Sequence, residues 1–428
     1  MKHYHYKCND CSKTFSAETI ELHPDGFQYL CPACGKSEKN TPLQGVLRYE
    51  YDLDHVKRYL HKDHFLSMMP GKFGNFASYL PLQVSHDDLP IIERISEELL
   101  ERVSLGGIGI QQFRWKDRTV YIQDETRNPT LSFKDRATII TAVKALQLGI
   151  TEISAASTGN AGSSLAGICA RLGMKAQIFV PERIPDAKRI QIQSFGANIY
   201  LVQGSYDDAF DASMEIAAKK RWFSRNTAHN PLTIEGKKWG AFDMYLSSGG
   251  ALPDKILVPV GDGVIIAGLY KGFSDLKKLG WIDFIPALIA VQAKGSNALA
   301  RYLEKGTFEY QPANTIADSI SAGAPSNLYM AAEAVRVSGG RAVVCDDTAI
   351  LEAQKLMAQQ FGILAEPSCA AAFAGYLQLT DEGYFTQKEK TLLLITGNGL
   401  KDVSVLSKWN EKPPCRTGKE WFELICND

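Results

Sequence analysis

Asn128-Pro129-Thr130-Leu131-Ser132-Phe133-Lys134-Asp135-Arg136 is where the chain begins to read as one architecture. Asn-Pro-Thr reads as a turn, Ser132 as an N-cap, and SFKDRATIITAVKALQLG as a helix that ends near Gly149. Lys134 then falls in the first helical turn. Beyond it, EISAAS, AQIFVP, NIYLV, KILVPV, ALIAVQA, AVVC and TLLLIT read as short strands. AGSSLAGICARLG, DAKRIQIQSFG and YDDAFDASMEIAAKKR read as helices among them. Strands covered by helices on both faces are continuously apolar, so this alternation predicts α/β architecture with parallel sheets.

Upstream, TVYIQDE reads as a strand. DDLPIIERISEELLERV carries an approximate helical stripe at Ile91, Ile92, Ile95, Leu99, Leu100 and Val103. Of nine cysteines, Cys8, Cys11, Cys31 and Cys34 form C-x2-C-x19-C-x2-C, while Cys169, Cys345, Cys369, Cys415 and Cys426 are scattered. The N-terminal spacing suits a closed, structural zinc ribbon, since each C-x-x-C turn can aim two thiolates at one tetrahedral ion. Four reduced cysteines in a relic ribbon are the alternative. The polar ELHPDGFQYL between the two turns reads as a hairpin.

A chain of 428 residues holds two or three domains. The expected division is a cysteine module at 1–45, a large α/β domain from 46–129 and 231–428, and a small α/β domain at 130–230. Lys and Arg number 47 against 48 Asp and Glu, a net charge of −1, so no global field exists to hold a nucleic acid or a membrane surface. No apolar run approaches the roughly 18 residues of a membrane span, and the N-terminus lacks the apolar core of a signal peptide. The expected location is the cytoplasm.

The helix dipole disfavours a cation at a helix N-terminus and would lower the pKa of Lys134. A neutral amine is what carbonyl chemistry requires of a lysine. Taken alone, such a lysine reads as a solvated one paired with Asp135. Its surroundings alter that. NPTLSFKDR resembles the NPTGSFKDR of threonine synthases, pyridoxal-phosphate enzymes of the tryptophan-synthase-β structural family. STGNAG (157–162), NPLTIEG (230–236), PVGDGVIIAG (259–268), IADSISAGAP (316–325) and TGNGLKD (396–402) follow in that family's order.

The resemblance implies two α/β domains with pyridoxal phosphate in the cleft between them. It implies that Lys134 carries the cofactor aldehyde and shuttles protons, and that Asn160 bonds the cofactor's phenolic oxygen. Ser157, Thr158, Gly159 and Ala161 would receive the substrate carboxylate. Gly261, Asp262, Gly263, Val264 and Ile265 would hold the cofactor phosphate, without a cationic side chain. Thr396 would meet the pyridine nitrogen. A homodimer is expected on the same ground.

Four positions depart from the family: Leu131 and Ala161 stand where glycine and threonine are usual, and Thr233 and Ser321 where arginine is usual. A hydroxyl cannot replace a guanidinium's bidentate hold on phosphate. Arg136, Lys237, Lys238 and Lys401 are candidate replacements. One enzymatic reading is threonine synthase acting on O-phospho-L-homoserine. Another is a relative acting on a smaller amino acid, such as a serine or threonine dehydratase, a diaminopropionate lyase or a cysteate synthase-like enzyme. An inactive binding protein that keeps the fold is the non-enzymatic alternative.

Overall fold

The computed structural model describes residues 3–71, 105, 109–182, 184, 186–410 and 412–426. The expected stripe from Ile91 to Val103 lies outside these residues. Three sheets organise the described residues. The largest runs in the order Ala342–Cys345, Ala287–Ala293, Lys255–Pro259, Thr391–Ile395, Arg118–Asp124, Ile110–Trp115. All its pairs are parallel except the last, where Ile110–Trp115 runs antiparallel along the edge. The second sheet, wholly parallel, orders Asn198–Val202, Lys175–Pro181, Glu152–Ala156 and the two-residue Phe223–Ser224. Leu392 to Ile395 and Ile256 to Val258 are fully buried, as expected of strands with helices on both faces.

Register brings the chemistry to one edge. Pairs such as Pro259 with Val291 and Ile395 with Asp124 bring neighbouring strand ends level. The segments that follow, Val260–Gly263, Thr396–Asn398 and Glu125–Phe133, therefore emerge side by side at the carboxyl ends, where open α/β sheets bind ligands.

The helix Lys134–Gln147 packs against Asn160–Leu172 on one side and Leu232–Ser247 on the other. Arg136 fixes it. Its Nε and Nη2 make a fork to Glu125 at 3.0 and 2.7 Å, and Nη1 reaches Asp243 at 2.6 Å. The guanidinium also lies 5.2 Å from the Phe133 ring centroid and 5.8 Å from that of Trp239. One buried cation thus joins a strand end, the lysine helix and its neighbour.

The N-terminal module is a three-stranded antiparallel sheet, Thr14–Phe15, Tyr4–Cys8, Leu47–Tyr51, whose last strand follows residue 45. The segment expected as a hairpin is not one. Ser16 accepts from Thr19 N and caps a helix, Ala17–Glu21, and the chain then turns at Gly26, whose φ is +96°. The module docks through Glu21, which takes Tyr4 and Tyr6 hydroxyls at 2.7 and 2.8 Å and the Lys144 ammonium at 2.8 Å. At the same junction Tyr29 accepts from Ser224 N at 2.6 Å and its ring lies 5.4 Å from that of His229. Among the described residues, no helix is long and apolar enough to cross a membrane.

Arg136→Met leaves Glu125 and Asp243 buried without a counter-charge, which should cost about 3–5 kcal/mol of stability. Adding Glu125→Gln and Asp243→Asn should restore most of the melting temperature, and failure to do so would mean that lost packing dominates. His229 is buried among aromatic rings, which depresses its pKa to about 4. The unfolded histidine titrates near 6.5, so the unfolded chain binds the extra proton first and stability falls as pH drops from about 6.5 to 4, by up to roughly 3 kcal/mol. His229→Phe should therefore lose less melting temperature than the natural chain between neutral pH and pH 5.

Candidate active site

The lysine loop and the Thr396 loop are joined by backbone bonds. Phe133 N donates to Thr396 O at 2.9 Å, Asn398 N donates to Leu131 O at 3.1 Å, and Ser132 and Gly397 form a bridge. To make these bonds Leu131 adopts φ +66°, a left-handed conformation that costs a residue with a Cβ about 1–2 kcal/mol. The glycine usual at this position would hold the turn without that strain. Ser132 does not cap the helix, because its hydroxyl is buried without a partner. Phe133 occupies the cap position, and Asp135 closes the turn by accepting from Thr130 N at 2.7 Å and from the Thr130 hydroxyl. Lys134 does begin the helix, as expected.

A cavity is lined by Phe133, Lys134, Asn160, Thr227, Thr396, Ser319, Ile320 and the segment Pro259–Ile266. Lys134, Asn160, Gly261, Asp262, Gly263, Val264, Ile265 and Thr396, singled out from motifs spread over the sequence, therefore share one space. A second cavity, sharing Asn160 and Ser319 with it, is lined by Thr158, Gly159, Lys188, Glu366, Lys401 and their neighbours. Ser157 and Ala161 line neither cavity: the Ser157 hydroxyl turns back to accept from Gly159 N at 3.3 Å, and Ala161 lies inside the helix.

Enclosure by protein, with Arg225 adding to it, pushes the Lys134 pKa down, while Asp262 and Glu366 pull it up. The direction agrees with the expectation from sequence, but the main cause is burial rather than the helix dipole. Gly263 starts the helix Val264–Lys278 with φ +83°, and a Cβ on Gly261 would lie 2.7 Å from Ile320 Cα. Both glycines are thus required for the tight turn that aims the first helical N–H groups at the cavity. Thr396 ends a central strand, with the Cys369 thiol beside its hydroxyl.

Sequence reasoning missed Glu366. It is buried, accepts from Asn160 Nδ2 at 2.7 Å, and has its pKa raised by burial, against the lowering pull of Lys401 and the Asn160 bond. The same Nδ2 lies 3.2 Å from Ser319 Oγ. The available signal was an acidic residue before Pro367 at the start of an otherwise small and apolar helix, Pro367–Asp381. Arg225 was missed too. It is buried, donates to Thr138 Oγ1 at 3.1 Å and Thr227 Oγ1 at 2.6 Å, and has no sequence signature.

Of the candidate replacement cations, three are engaged elsewhere. Arg136 is held by Glu125 and Asp243. Lys238 pairs with Glu235 at 2.6 Å and covers the Tyr51 ring at 4.0 Å. Lys401 donates to Thr130 O at 2.7 Å and Ser163 Oγ at 2.8 Å. Lys237 is buried and its ammonium has no hydrogen-bond partner. Thr233 donates to Asn230 O at 2.8 Å and accepts from Ala228 N, and Ser321 is exposed.

These features fit a flat aldehyde that bears a phosphate. An enclosed amine stands at the cavity wall, a helix N-terminus borders it, and buried cationic nitrogens on Lys237 and Arg225 lack partners. A Cβ on Gly159 would meet no protein atom within 4 Å, so that edge of the loop faces open space. In the N-terminal module, Cys8 Sγ lies 3.4 Å from Cys34 Sγ and Cys11 Sγ 3.7 Å from Cys31 Sγ, and all four sulfurs fall within 4.8 Å of one another. Tetrahedral zinc with bonds of about 2.3 Å would need sulfurs about 3.8 Å apart.

Comparison with known proteins gives the family. Residues 111–397 match the family described as pyridoxal-phosphate dependent enzyme. The chain is 32% identical over 418 residues to the threonine synthase of Methanocaldococcus jannaschii, covering 95% of each chain. It is 29% identical to that of Methanosarcina acetivorans, over 96% of this chain and 95% of the relative. Against that of Mycobacterium tuberculosis it is 35% identical over 68% of this chain and 79% of the relative. Maize serine racemase shares the fold with a TM-score of 0.59 at 18% identity, covering 79% of this chain and 99% of that one. Threonine deaminase isoform 2 of Solanum lycopersicum does so at 0.61 and 20%, covering 76% and 93%. The lysine, the glycine turn and the strand-end threonine thus stand in one cleft of a chain that belongs to the pyridoxal-phosphate-dependent enzymes, within the threonine synthase family.

Proposed function

We propose that the chain is a threonine synthase, a lyase that converts O-phospho-L-homoserine and water into L-threonine and phosphate. The observation that carries this reading is the meeting of Lys134, the Gly263 helix start and Thr396 in one cavity, in a chain that aligns end to end with threonine synthases. The Cγ–O bond breaks and phosphate leaves with the bonding pair, a proton lost from the β-carbon is matched by one gained at Cγ, which becomes the methyl group, and water adds its hydroxyl at the β-carbon while its remaining proton goes to the phosphate.

Pyridoxal phosphate, when bound, supplies an electron sink conjugated to the substrate's α-carbon. Lys134 Nζ holds the cofactor and then moves protons, and its lowered pKa keeps a fraction of the amine neutral for that task. The N–H groups that open the helix Val264–Lys278 hold phosphate. Asn160 Nδ2 donates to the ring oxygen, in place of its 3.2 Å contact with Ser319, while Glu366 keeps the amide oriented. The N–H groups at Thr158–Asn160 receive the substrate carboxylate, next to the start of the helix Asn160–Leu172. Thr396 offers the ring nitrogen a neutral hydroxyl, which leaves the ring less electron-withdrawing and favours elimination over transamination.

A second reading, a lyase or β-replacement enzyme for a smaller, unphosphorylated amino acid, draws support from Thr233 and Ser321. The first spends its hydroxyl on its own helix start and the second is exposed, so neither brings a cation to the cleft. Offering O-phosphohomoserine, serine, threonine and phosphoserine in parallel separates the two. Threonine and phosphate from the first substrate alone support threonine synthase, and keto acid from serine or threonine alone supports the second reading.

The reading extends to the rest of the chain. The four-stranded sheet, whose strands lie between Glu152 and Ser224, supports a small domain at residues 130–230, with the large domain built from 46–129 and 231–428. The four sulfurs support one structural zinc. The family resemblance supports a cytoplasmic homodimer.

Lys134→Ala should abolish turnover and the cofactor's visible absorbance. Borohydride reduction of the natural protein should fix the cofactor to the peptide that contains Lys134, and label on another lysine would overturn the assignment. Elemental analysis should give about one zinc per chain, and less than about a tenth of an equivalent would favour the relic ribbon. Cys31→Ser should lower the melting temperature more than it lowers turnover, because a structural site contributes to folding.

A further inference from the structure

Two buried cations beside the cleft lack a direct carboxylate partner among the described residues, although Asp262 acts on both from a distance and Asp135 on Arg225. Lys237 and Arg225 are both fully buried, each at 0% exposure. The Lys237 ammonium has no hydrogen-bond partner, and neither has Nη2 of Arg225. Neither side chain forms an ion pair among the described residues. Arg136, Lys144, Lys238 and Lys401, by contrast, each have a definite partner. Folded chains rarely bury a charge without one, because the desolvation cost stays uncompensated.

Neither lines the cavity, but both stand next to residues that do. Arg225 is held by Thr138 on the lysine helix and by Thr227, which lines that cavity. Lys237 lies on the helix Leu232–Ser247, where Gly268 of the next helix packs so closely that an added Cβ would lie 2.7 Å from Lys237 Cβ. The charged groups that act on Lys237 are Lys134, Arg225 and Asp262, and Lys134 and Asp262 line the cavity. Asp262 is the sole carboxylate among them, and it sits within the glycine turn that faces phosphate.

We propose that Lys237 and Arg225 form an anion subsite that takes a phosphate monoester dianion, in place of the arginines absent at Thr233 and Ser321. Lys237 contributes a point charge, and the free edge of the Arg225 guanidinium adds directed N–H donors. The same cations offset Asp262, which would otherwise repel a dianion at the helix start. Two sources of the phosphate share this chemistry: the 5'-phosphate of the cofactor and the phosphate of a substrate. Only the substrate source rests on the threonine synthase reading.

The test uses the full chain with Lys237→Met and, separately, Arg225→Met, and keeps Lys237→Arg as a conservative control. Affinity is measured for pyridoxal 5'-phosphate and for unphosphorylated pyridoxal on cofactor-stripped protein. Inorganic phosphate is titrated into cofactor-loaded protein, with melting temperature as the readout. If the cofactor is the source, Lys237→Met weakens pyridoxal 5'-phosphate ten-fold or more and leaves pyridoxal unchanged. If the substrate is the source, cofactor affinity holds, the stabilisation by inorganic phosphate disappears, and Lys237→Arg restores it. Lys237→Met without ligand should melt no lower than the natural chain, since it removes an uncompensated buried amine. Should Arg225→Met fail to fold, Lys237→Met decides alone. Changes below two-fold in both titrations overturn the subsite. Loss of phosphate binding in a chain that never makes threonine would overturn the substrate reading and keep the subsite.

Discussion

The buried guanidinium of Arg136 is the constraint on which the site depends. It binds Glu125 at the end of a strand of the large sheet and Asp243 on the helix Leu232–Ser247. Two residues earlier, Lys134 opens the same helix. A helix so anchored can neither slide nor rotate without stripping a charge of its partner, at a cost of several kcal/mol. The backbone bonds between Phe133 and Thr396 and between Leu131 and Asn398 extend that rigidity to the cleft. Lys134 and Thr396 are thus held in one frame, and the strain at Leu131 is part of what holds them.

Around that frame the two parallel sheets turn their carboxyl ends toward one cleft. One contributes the Gly261 turn and Thr396, the other the Gly159 loop and the Arg225 segment. Placing a lysine, a helix N-terminus and a neutral hydroxyl on different elements lets each be set by its own packing. The cysteine module touches the frame through Glu21, which binds Lys144 on the lysine helix, and Leu43 and Val46 share a hydrophobic cluster with Val264 at the cleft's helix start. Metal at the ribbon would then support the helix that carries the reactive amine without entering the chemistry.

Much of this was legible in the sequence, for physical reasons. Strands buried on both faces, such as Leu392 to Ile395, must be continuously apolar and so announce themselves. The two-residue strand Phe223–Ser224 is too short to carry a pattern, and the edge strand Ile110–Trp115 is held by pairing rather than by burial on both faces. The hairpin expectation failed because Ser16 caps a helix turn, and Ser132 failed as a cap because Asp135 took over the turn. Lys237 and Lys238 could not be told apart without helix phase. Adjacent residues point about 100° apart around a helix, which sends Lys238 to Glu235 and Tyr51 and leaves Lys237 between two helices. Arg225 lies in a polar run whose burial depends on contacts far along the chain, so no local pattern reveals it.

The central claim is that this cleft breaks a carbon–oxygen bond in a phosphorylated amino acid and adds water at the neighbouring carbon. Turnover of O-phosphohomoserine in water enriched in heavy oxygen, with both products analysed by mass, tests it most directly. The account predicts label in the threonine hydroxyl and none in the released phosphate. Label in the phosphate would mean cleavage of the phosphorus–oxygen bond by simple hydrolysis, and would contradict it.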